Sequence, residues 1–257
     1  MNLKMIVLDL DGTLLRDDKT ISKITVPTLK KCREEGIKIV FATARGLSAH
    51  KLVPIDLFDG FARMCGAEAF AGKINVYGKY VSTVKVRDFL NIANKAGIKI
   101  AAESNGWHYA NFNVSEIWDW LSCYEIVDFN ALDIEAEKLY AFPKVIDELE
   151  LLKNNLPKGF HIITTRNNFT MVLHEDAQKS KAVSALAEYW EINSSEIVAF
   201  GDDLSDIDLI KYCGFGVAMG NALDEVKAVA NCICDTNEND GVVKWLEENM
   251  KIIISTL

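Results

Sequence analysis

Two aspartates, Asp9 and Asp11, stand in the string Val7-Leu8-Asp9-Leu10-Asp11-Gly12-Thr13. Carboxylates this close repel each other unless a cation or a shared proton sits between them, so the first chemistry they imply is a divalent-metal site. A second acidic cluster, Gly201-Asp202-Asp203-Leu204-Ser205-Asp206, also follows an apolar run. Carboxylates joined by a backbone carbonyl and water suit Mg2+, a hard ion that takes oxygen ligands and keeps several waters. Asp202 is the residue that would join Asp9 and Asp11 on one ion. Asp203 and Asp208 read instead as helix caps, since Asp after a strand commonly accepts from the first N–H groups of the next helix. A calcium loop does not fit in either register. Counted from Asp9, the sixth position is Leu14 and the twelfth Thr20; with Gly12 placed sixth, Val7 is first and Asp18 last.

Two further residues could meet an anion. Thr43 ends an apolar run inside Phe41-Ala42-Thr43-Ala44-Arg45-Gly46, and a hydroxyl beside backbone N–H groups at a helix start makes an anion site. Lys179 closes His174-Glu175-Asp176-Ala177-Gln178-Lys179, just before a helical pattern. Taken alone it reads as an ordinary solvated lysine.

The elements that position these residues alternate. Met5–Leu8 is an apolar run of strand length, and acid-x-acid-Gly at its end places the pair in the crevice outside a sheet's carboxyl edge. A helix is predicted from Ser22 to Glu35, closed by Gly36, then a strand over 37–42, a short helix up to Pro54 and a strand from Phe61 to Cys65. This β-α-β-α-β series predicts a parallel sheet. Ala69–Ser82 reads as a hairpin leading out of that sheet. Beyond it, a helix over 84–97, two strands around Asn105-Gly106, a helix over 114–125, a strand over 139–142, a helix over 145–156 and two strands over 159–174 predict a separate α+β unit with an antiparallel sheet. The first style then returns. Helix 180–190, strand 197–200, helix 207–213, strand 215–218, helix 222–230, strand 232–234 and helix 241–249 complete an α/β, doubly wound, mostly parallel core.

Bulk properties narrow the function classes. The chain has 257 residues, enough for one large domain or two modest ones, and carries a net charge of −9. That charge argues against nonspecific nucleic-acid binding, which needs Lys and Arg on phosphates, but a metal and a few local cations can reverse the field within one cleft. No run approaches the ~18 apolar residues of a membrane span, and the N-terminus enters a strand without a signal-peptide pattern. The six cysteines are scattered with no Cys-x-x-Cys pair, which fits thiols in a reducing cytoplasm rather than a disulfide or zinc framework.

In order, Asp-x-Asp-Gly-Thr, a strand-end Thr, a Lys before a helix and Gly-Asp-x-x-x-Asp resemble the haloacid dehalogenase superfamily of phosphohydrolases. Gly216-Val217-Ala218-Met219-Gly220-Asn221-Ala222 and Asp240-Gly241-Val242 are similar to the C-terminal signatures of its Cof-type branch, and the resemblance spans the whole chain. It implies a Rossmann-like core, residues 1–80 and 175–257, and an inserted α+β cap, 81–174, that sets substrate specificity. It implies that Asp9 is the nucleophile, forming an aspartyl-phosphate, and that Asp11 is general acid and then base, with a raised pKa in the substrate complex. Mg2+ would sit on the Asp9 carboxylate, the Asp11 carbonyl and Asp202. Phosphate would be held by Thr43, Lys179, Ser205 and the N–H groups of Leu10 and Ala44. Asp206 would orient Lys179 or a metal-bound water, and Arg45 and Asn221 would contact substrate. Lys179 rather than Lys181 keeps the register of the helix that follows, with Ala182, Val183 and Leu186-Ala187-Glu188.

Two positions depart from the branch's pattern. Ser205 stands where an Asn touches phosphate or metal water, so weaker metal binding is expected. Cys65 stands where an Asn precedes Gly-Ala. The expected activity is Mg2+-dependent hydrolysis of a small soluble phosphomonoester, best a sugar phosphate, in the cytoplasm, with neither nucleic acid nor membrane as partner. A phosphotransferase or mutase using the same intermediate and a non-catalytic phosphate-binding protein are the alternatives. Trp107, His108, Tyr109, Arg166 and Asn167 are cap residues near turns.

Overall fold

A computed structural model describes residues 2–164 and 169–254, with side chains described as far as Asn249. Arg166 and Asn167 lie outside the described residues. The chain divides into two compact units, Met1–Gly78 with Gln178–Leu257, and Lys79–Ala177.

The first unit is built on one eight-stranded sheet. Its order is Cys232–Ile233, Phe215–Ala218, Ile197–Gly201, Met5–Leu8, Lys38–Ala42, Gly60–Arg63, Glu68–Ala71 and Ile74–Gly78. The first six strands run parallel and the last two pair antiparallel. All four residues of Met5–Leu8 are fully buried, as a central parallel strand covered on both faces requires. Helices Thr25–Glu34 and Lys179–Tyr189 contribute Leu29, Cys32, Ala182, Val183 and Leu186 to the same core.

Register decides which residues meet. Leu8 is level with Phe41 on one neighbour and Phe200 on the other. Asp9 is therefore level with Ala42 and Gly201, and Thr43 and Asp202 lie one residue further along. Three sequence-distant strand ends thus converge on one carboxyl edge, the position at which open α/β sheets form sites.

The second unit carries a six-stranded sheet in the order Phe160–Thr164, Thr170–His174, Lys138–Phe142, Lys99–Ser104, Trp107–Ala110 and Tyr124–Ile126. Its pairs are antiparallel except the last, which is parallel. Helices Arg87–Lys95 and Ile146–Asn154 cover one face, burying Phe89, Leu90, Ala93 and Leu152 against Ile100, Ala102, Leu139 and Val172. Asn105 and Gly106 both have positive φ (50° and 78°), as the predicted tight hairpin turn requires.

Two expectations are corrected. The hairpin at Ala69–Ser82 comprises only Glu68–Ala71 and Ile74–Gly78 and belongs to the core sheet; Val81–Ser82 pairs with Glu135–Ala136 instead. The helix expected over 114–125 is a single 3-10 turn, Val114–Glu116, followed by the strand Tyr124–Ile126. Its Val114, Trp118 and Leu121 have helical spacing but pack onto the Ala101, Ala110 and Tyr140 face of the sheet, so tertiary packing overrides the periodicity.

Candidate active site

The Asp9–Thr13 segment folds back on its own strand. Leu14 N–H donates to the Asp9 carbonyl (3.2 Å) and Leu15 N–H to the Leu10 carbonyl (2.8 Å). Gly12 sits at φ 81°, a conformation that glycine takes without strain. A Cβ there would lie 2.3 Å from Asp202 Oδ2, so the glycine is required both for the turn and for space. Thr13 Oγ1 donates to Asp202 Oδ1 at 3.1 Å, which locks the two acidic loops together. Gly12→Ala is expected to destabilise the protein by about 1–3 kcal/mol and to displace Asp202 from the acidic cluster, weakening any divalent cation held there; denaturant unfolding and calorimetric titration with a divalent cation check this.

The second loop is organised by Asp206. Its Oδ2 accepts from the N–H groups of Asp202 and Asp203, both at 3.0 Å. Gly201 makes room for it, since a Cβ would lie 2.5 Å from Asp206 Cβ. Asp203 caps the following turn through Leu204 N–H (2.7 Å), and Asp208 accepts from Ser180 N–H (2.8 Å), at the start of the Lys179 helix. Ser205 lies half-buried in the turn between them.

Lys179, the first residue of its helix, is 1% exposed. Its Nζ lies 2.6 Å from Asp9 Oδ1 and 2.5 Å from Asp206 Oδ1. Burial works against the charged ammonium, but the carboxylates of Asp206 and Asp9 outweigh it and hold the lysine protonated. Lys181 is exposed.

Carboxylate oxygens of Asp9, Asp202 and Asp206 lie within 4.8 Å of one another. Burial pushes the Asp9 carboxyl well up, helped by the neighbouring charges of Asp206 and Asp202 and opposed by Lys179. Burial and Asp206 raise Asp202 to about 7. Crowded oxygen donors that resist ionising together are what a hard divalent cation relieves, so the donor set fits Mg2+. Asp206 has one oxygen on two backbone N–H groups and the other on Lys179, whereas Asp9 and Asp202 each keep a more open carboxylate.

The Asp11 carboxylate is not one of this cluster and meets two cations. Arg45 contacts both oxygens, Nε to Oδ2 at 2.5 Å and Nη2 to Oδ1 at 2.7 Å; Lys19 Nζ reaches Oδ1 at 2.9 Å. Partial burial works to raise Asp11, but these hydrogen bonds and charges prevail and lower its pKa. Buried Thr43 accepts from Arg45 N–H through Oγ1 (3.1 Å), which leaves its own O–H to donate. The Met64–Gly66 turn braces this loop. Cys65 N–H donates to the Thr43 carbonyl and Met64 N–H to the Arg45 carbonyl, both at 3.0 Å. A Cβ on Gly66 would lie 2.2 Å from the Gln178 carbonyl, next to Lys179. Cys65 itself has φ 55°, a left-handed position that Asn tolerates better than Cys.

The structure thus brings Asp9, Asp11, Thr43, Arg45, Lys179, Asp202 and Asp206 to one end of the core sheet, with Leu10 between the first two and Ala44 between Thr43 and Arg45. Asn221, exposed near the same end, ties two loops: its amide donates to the Gly12 carbonyl (2.8 Å) and accepts from Asn237 N–H (3.0 Å). Sequence reasoning missed Thr13 and Lys19. Thr13 closes the Asp-x-Asp-Gly-Thr motif without a signal of its own, while Lys19 sits in a polar run, Arg16-Asp17-Asp18-Lys19-Thr20, that reads only as loop. In the second unit Trp107 is exposed, and buried His108 shares a 2.8 Å hydrogen bond with the Tyr140 hydroxyl.

A parallel α/β core with acidic strand ends, a buried lysine and an inserted α+β unit defines a class of hydrolases. Residues 6–246 match the family of haloacid dehalogenase-like hydrolases, and the chain belongs to that family, in its Cof-type branch. It is 29% identical to a putative phosphatase of Haemophilus influenzae over 96% of this chain and 98% of that protein. It is also 29% identical to a 5-amino-6-(5-phospho-D-ribitylamino)uracil phosphatase of Bacillus subtilis, over 95% and 94%. A phosphatase of this superfamily from Bacteroides thetaiotaomicron superposes with a TM-score of 0.83 at 28% identity, covering 96% of this chain and 94% of that one.

Proposed function

We propose that this protein is a Mg2+-dependent phosphatase that hydrolyses a small soluble phosphomonoester, best a sugar phosphate, through an aspartyl-phosphate on Asp9. The observation that carries the reading is the Asp9 carboxylate, held by a buried lysine at 2.6 Å and set beside Asp202. Phosphorylated ribityl chemistry in the name of the Bacillus subtilis relative supports a polyol or sugar leaving group. The inserted unit, Lys79–Ala177, is assigned the choice of leaving group. Among the described residues no helix is long and apolar enough to cross a membrane, and a cytoplasmic location belongs to the same proposal.

In the mechanism, Asp9 attacks phosphorus with the oxygen not held by Lys179, and the phosphorus–ester oxygen bond breaks. Asp11 gives its proton to the departing oxygen, then takes one from the water that cleaves the aspartyl-phosphate. Lys179, Thr43 and the N–H groups of Leu10 and Ala44 surround the phosphoryl oxygens, where charge spreads in the transition state. Arg45 exchanges Asp11 for the incoming phosphate, which frees Asp11 to carry a proton. A Mg2+ on Asp9, Asp202 and the Asp11 carbonyl would neutralise charge between an anionic nucleophile and an anionic ester.

Release of inorganic phosphate from a generic aryl phosphate with Mg2+, followed by a panel of sugar phosphates, tests the reading. Net release from sugar monophosphates separates hydrolysis from a mutase, and absence of any release from wild type sinks it.

A pH dependence follows from Asp202. With its pKa raised to about 7 in the metal-free protein, the folded state holds a proton that the unfolded chain has lost. Stability of the metal-free protein is therefore expected to fall as pH rises from the ordinary carboxylate range through about 7. Mg2+ binds the ionised form, so its affinity is expected to rise over the same interval. Thermal unfolding with EDTA or Mg2+ across pH reads both.

A further inference from the structure

The surroundings of Asp11 point to a residue that the motifs pass over. We propose that Lys19 is a substrate-binding residue that meets the phosphate ester on the Asp11 side of the site. The inference rests on the phosphatase reading above and deepens it.

Lys19 Nζ shares Asp11 Oδ1 with Arg45. An ion pair whose lysine is 47% exposed and whose aspartate is 35% exposed contributes little to stability. The chain nevertheless builds a specific support for it. Lys19 adopts φ 67°, a left-handed conformation unfavourable for a lysine and of a kind that collects at functional sites. The loop that imposes it is closed by Arg16 N–H to the Thr20 carbonyl and Lys19 N–H to the Arg16 carbonyl, both at 2.9 Å. It is tethered to a segment more than two hundred residues away. Arg16 pairs with Asp240 at 3.0 Å, Asp17 N–H donates to Glu238 at 2.7 Å, and the Asn237 amide donates to the Leu15 carbonyl at 3.0 Å. These contacts fix where the lysine stem begins while leaving its side chain about half exposed.

Charge gives the second argument. Four carboxylates, Asp9, Asp11, Asp202 and Asp206, face three cations, Lys179, Arg45 and Lys19. Lys179 is buried and already held between Asp9 and Asp206. A phosphate dianion entering from solvent therefore meets Arg45 and Lys19 as the more exposed cations. Every Asp11 oxygen already accepts from at least one of them, so Asp11 cannot turn an oxygen to the ester without releasing an N–H. The released cation is then available to the phosphate. Without Lys19, the site would meet the phosphate with one positive charge fewer, and with only one exposed cation, Arg45.

The test is calorimetric binding of inorganic phosphate, with Mg2+ present, to wild type, Lys19→Ala, Lys19→Gly and Lys19→Arg. Phosphate affinity is expected to fall about tenfold in the Ala and Gly variants and to stay within about threefold of wild type in Arg, as loss and retention of a charged hydrogen bond imply. Lys19→Gly guards against misfolding, since glycine takes the positive φ without strain and its Tm should equal or exceed wild type. With an aryl phosphate, KM should rise more than kcat falls. Unchanged phosphate affinity in both Ala and Gly, with only kcat lowered, would make Lys19 a holder of Asp11 and overturn the proposal. A wild type that neither binds phosphate nor releases it from an aryl ester would instead overturn the phosphatase reading, and Lys19's role with it.

Discussion

Asp9→Asn is expected to abolish phosphate release, lowering kcat by roughly 10⁴-fold or more, while leaving the protein folded. The amide retains the shape of the side chain and can still accept from Lys179, but it is not a nucleophile. The same substitution removes a charge that burial opposes and that Asp206 and Asp202 repel. Lys179 keeps its contact with Asp206, so no buried cation is stranded. The metal-free Tm of Asp9→Asn is therefore expected to match or exceed that of wild type at neutral pH, and the stabilisation by Mg2+ to shrink. Phosphate-release kinetics and thermal unfolding with and without Mg2+ provide the measurement. A marked fall in Tm would mean that the Asp9–Lys179 contact serves the fold, and activity that survives in the variant would rule out Asp9 as nucleophile.

Lys179→Ala is expected to differ from Lys181→Ala in both activity and stability. Lys179 satisfies two buried carboxylates at once. Removing it strands Asp9 and Asp206, at a cost of about 3–5 kcal/mol of stability, and removes the cation that the proposed mechanism sets on the phosphoryl oxygens, lowering kcat by roughly 10²–10³-fold. Lys181, two residues on, is exposed, and its removal is expected to change stability by no more than about 0.5 kcal/mol and to leave activity near wild type. Added Mg2+ should recover part of the lost stability of Lys179→Ala, because a divalent ion supplies the positive charge that the carboxylates then lack. Paired denaturation curves and kinetics of the two variants decide the matter. Equal losses in both would show that the helix as a whole, not the lysine, is what the site needs.

Much of the core was legible in the sequence because its physics is local. The apolar runs at Met5–Leu8, 37–42 and Ile197–Phe200 are too continuous for a half-exposed strand, and each ends in residues that an apolar interior would not accept. Asn105-Gly106 announced its turn because few dipeptides take two successive positive φ values without strain. The stretch at 114–125 was not legible. Its helical spacing is real, but Trp118 and Leu121 gain more by covering the Tyr140 face of a sheet than by continuing a helix. Only the assembled sheet reveals that surface.

For the site itself, the sequence determined the types of group available: acids at two strand ends, a hydroxyl at a third, and glycines where Asp202 and Asp206 must come close. The tertiary structure decided their partners. Lys179 contacts Asp9 across 170 positions, and Thr13 contacts Asp202 across 189. Such contacts depend on strand order and register, which no local pattern encodes. The same holds for Asp11, whose position in the string names it as an acid but whose pairing with Arg45 and Lys19 depends on loops braced by Cys65 and by the 237–240 segment. Spacing along a chain limits what chemistry is possible, while the charge state and orientation of each group follow from neighbours that only folding brings within a few ångströms.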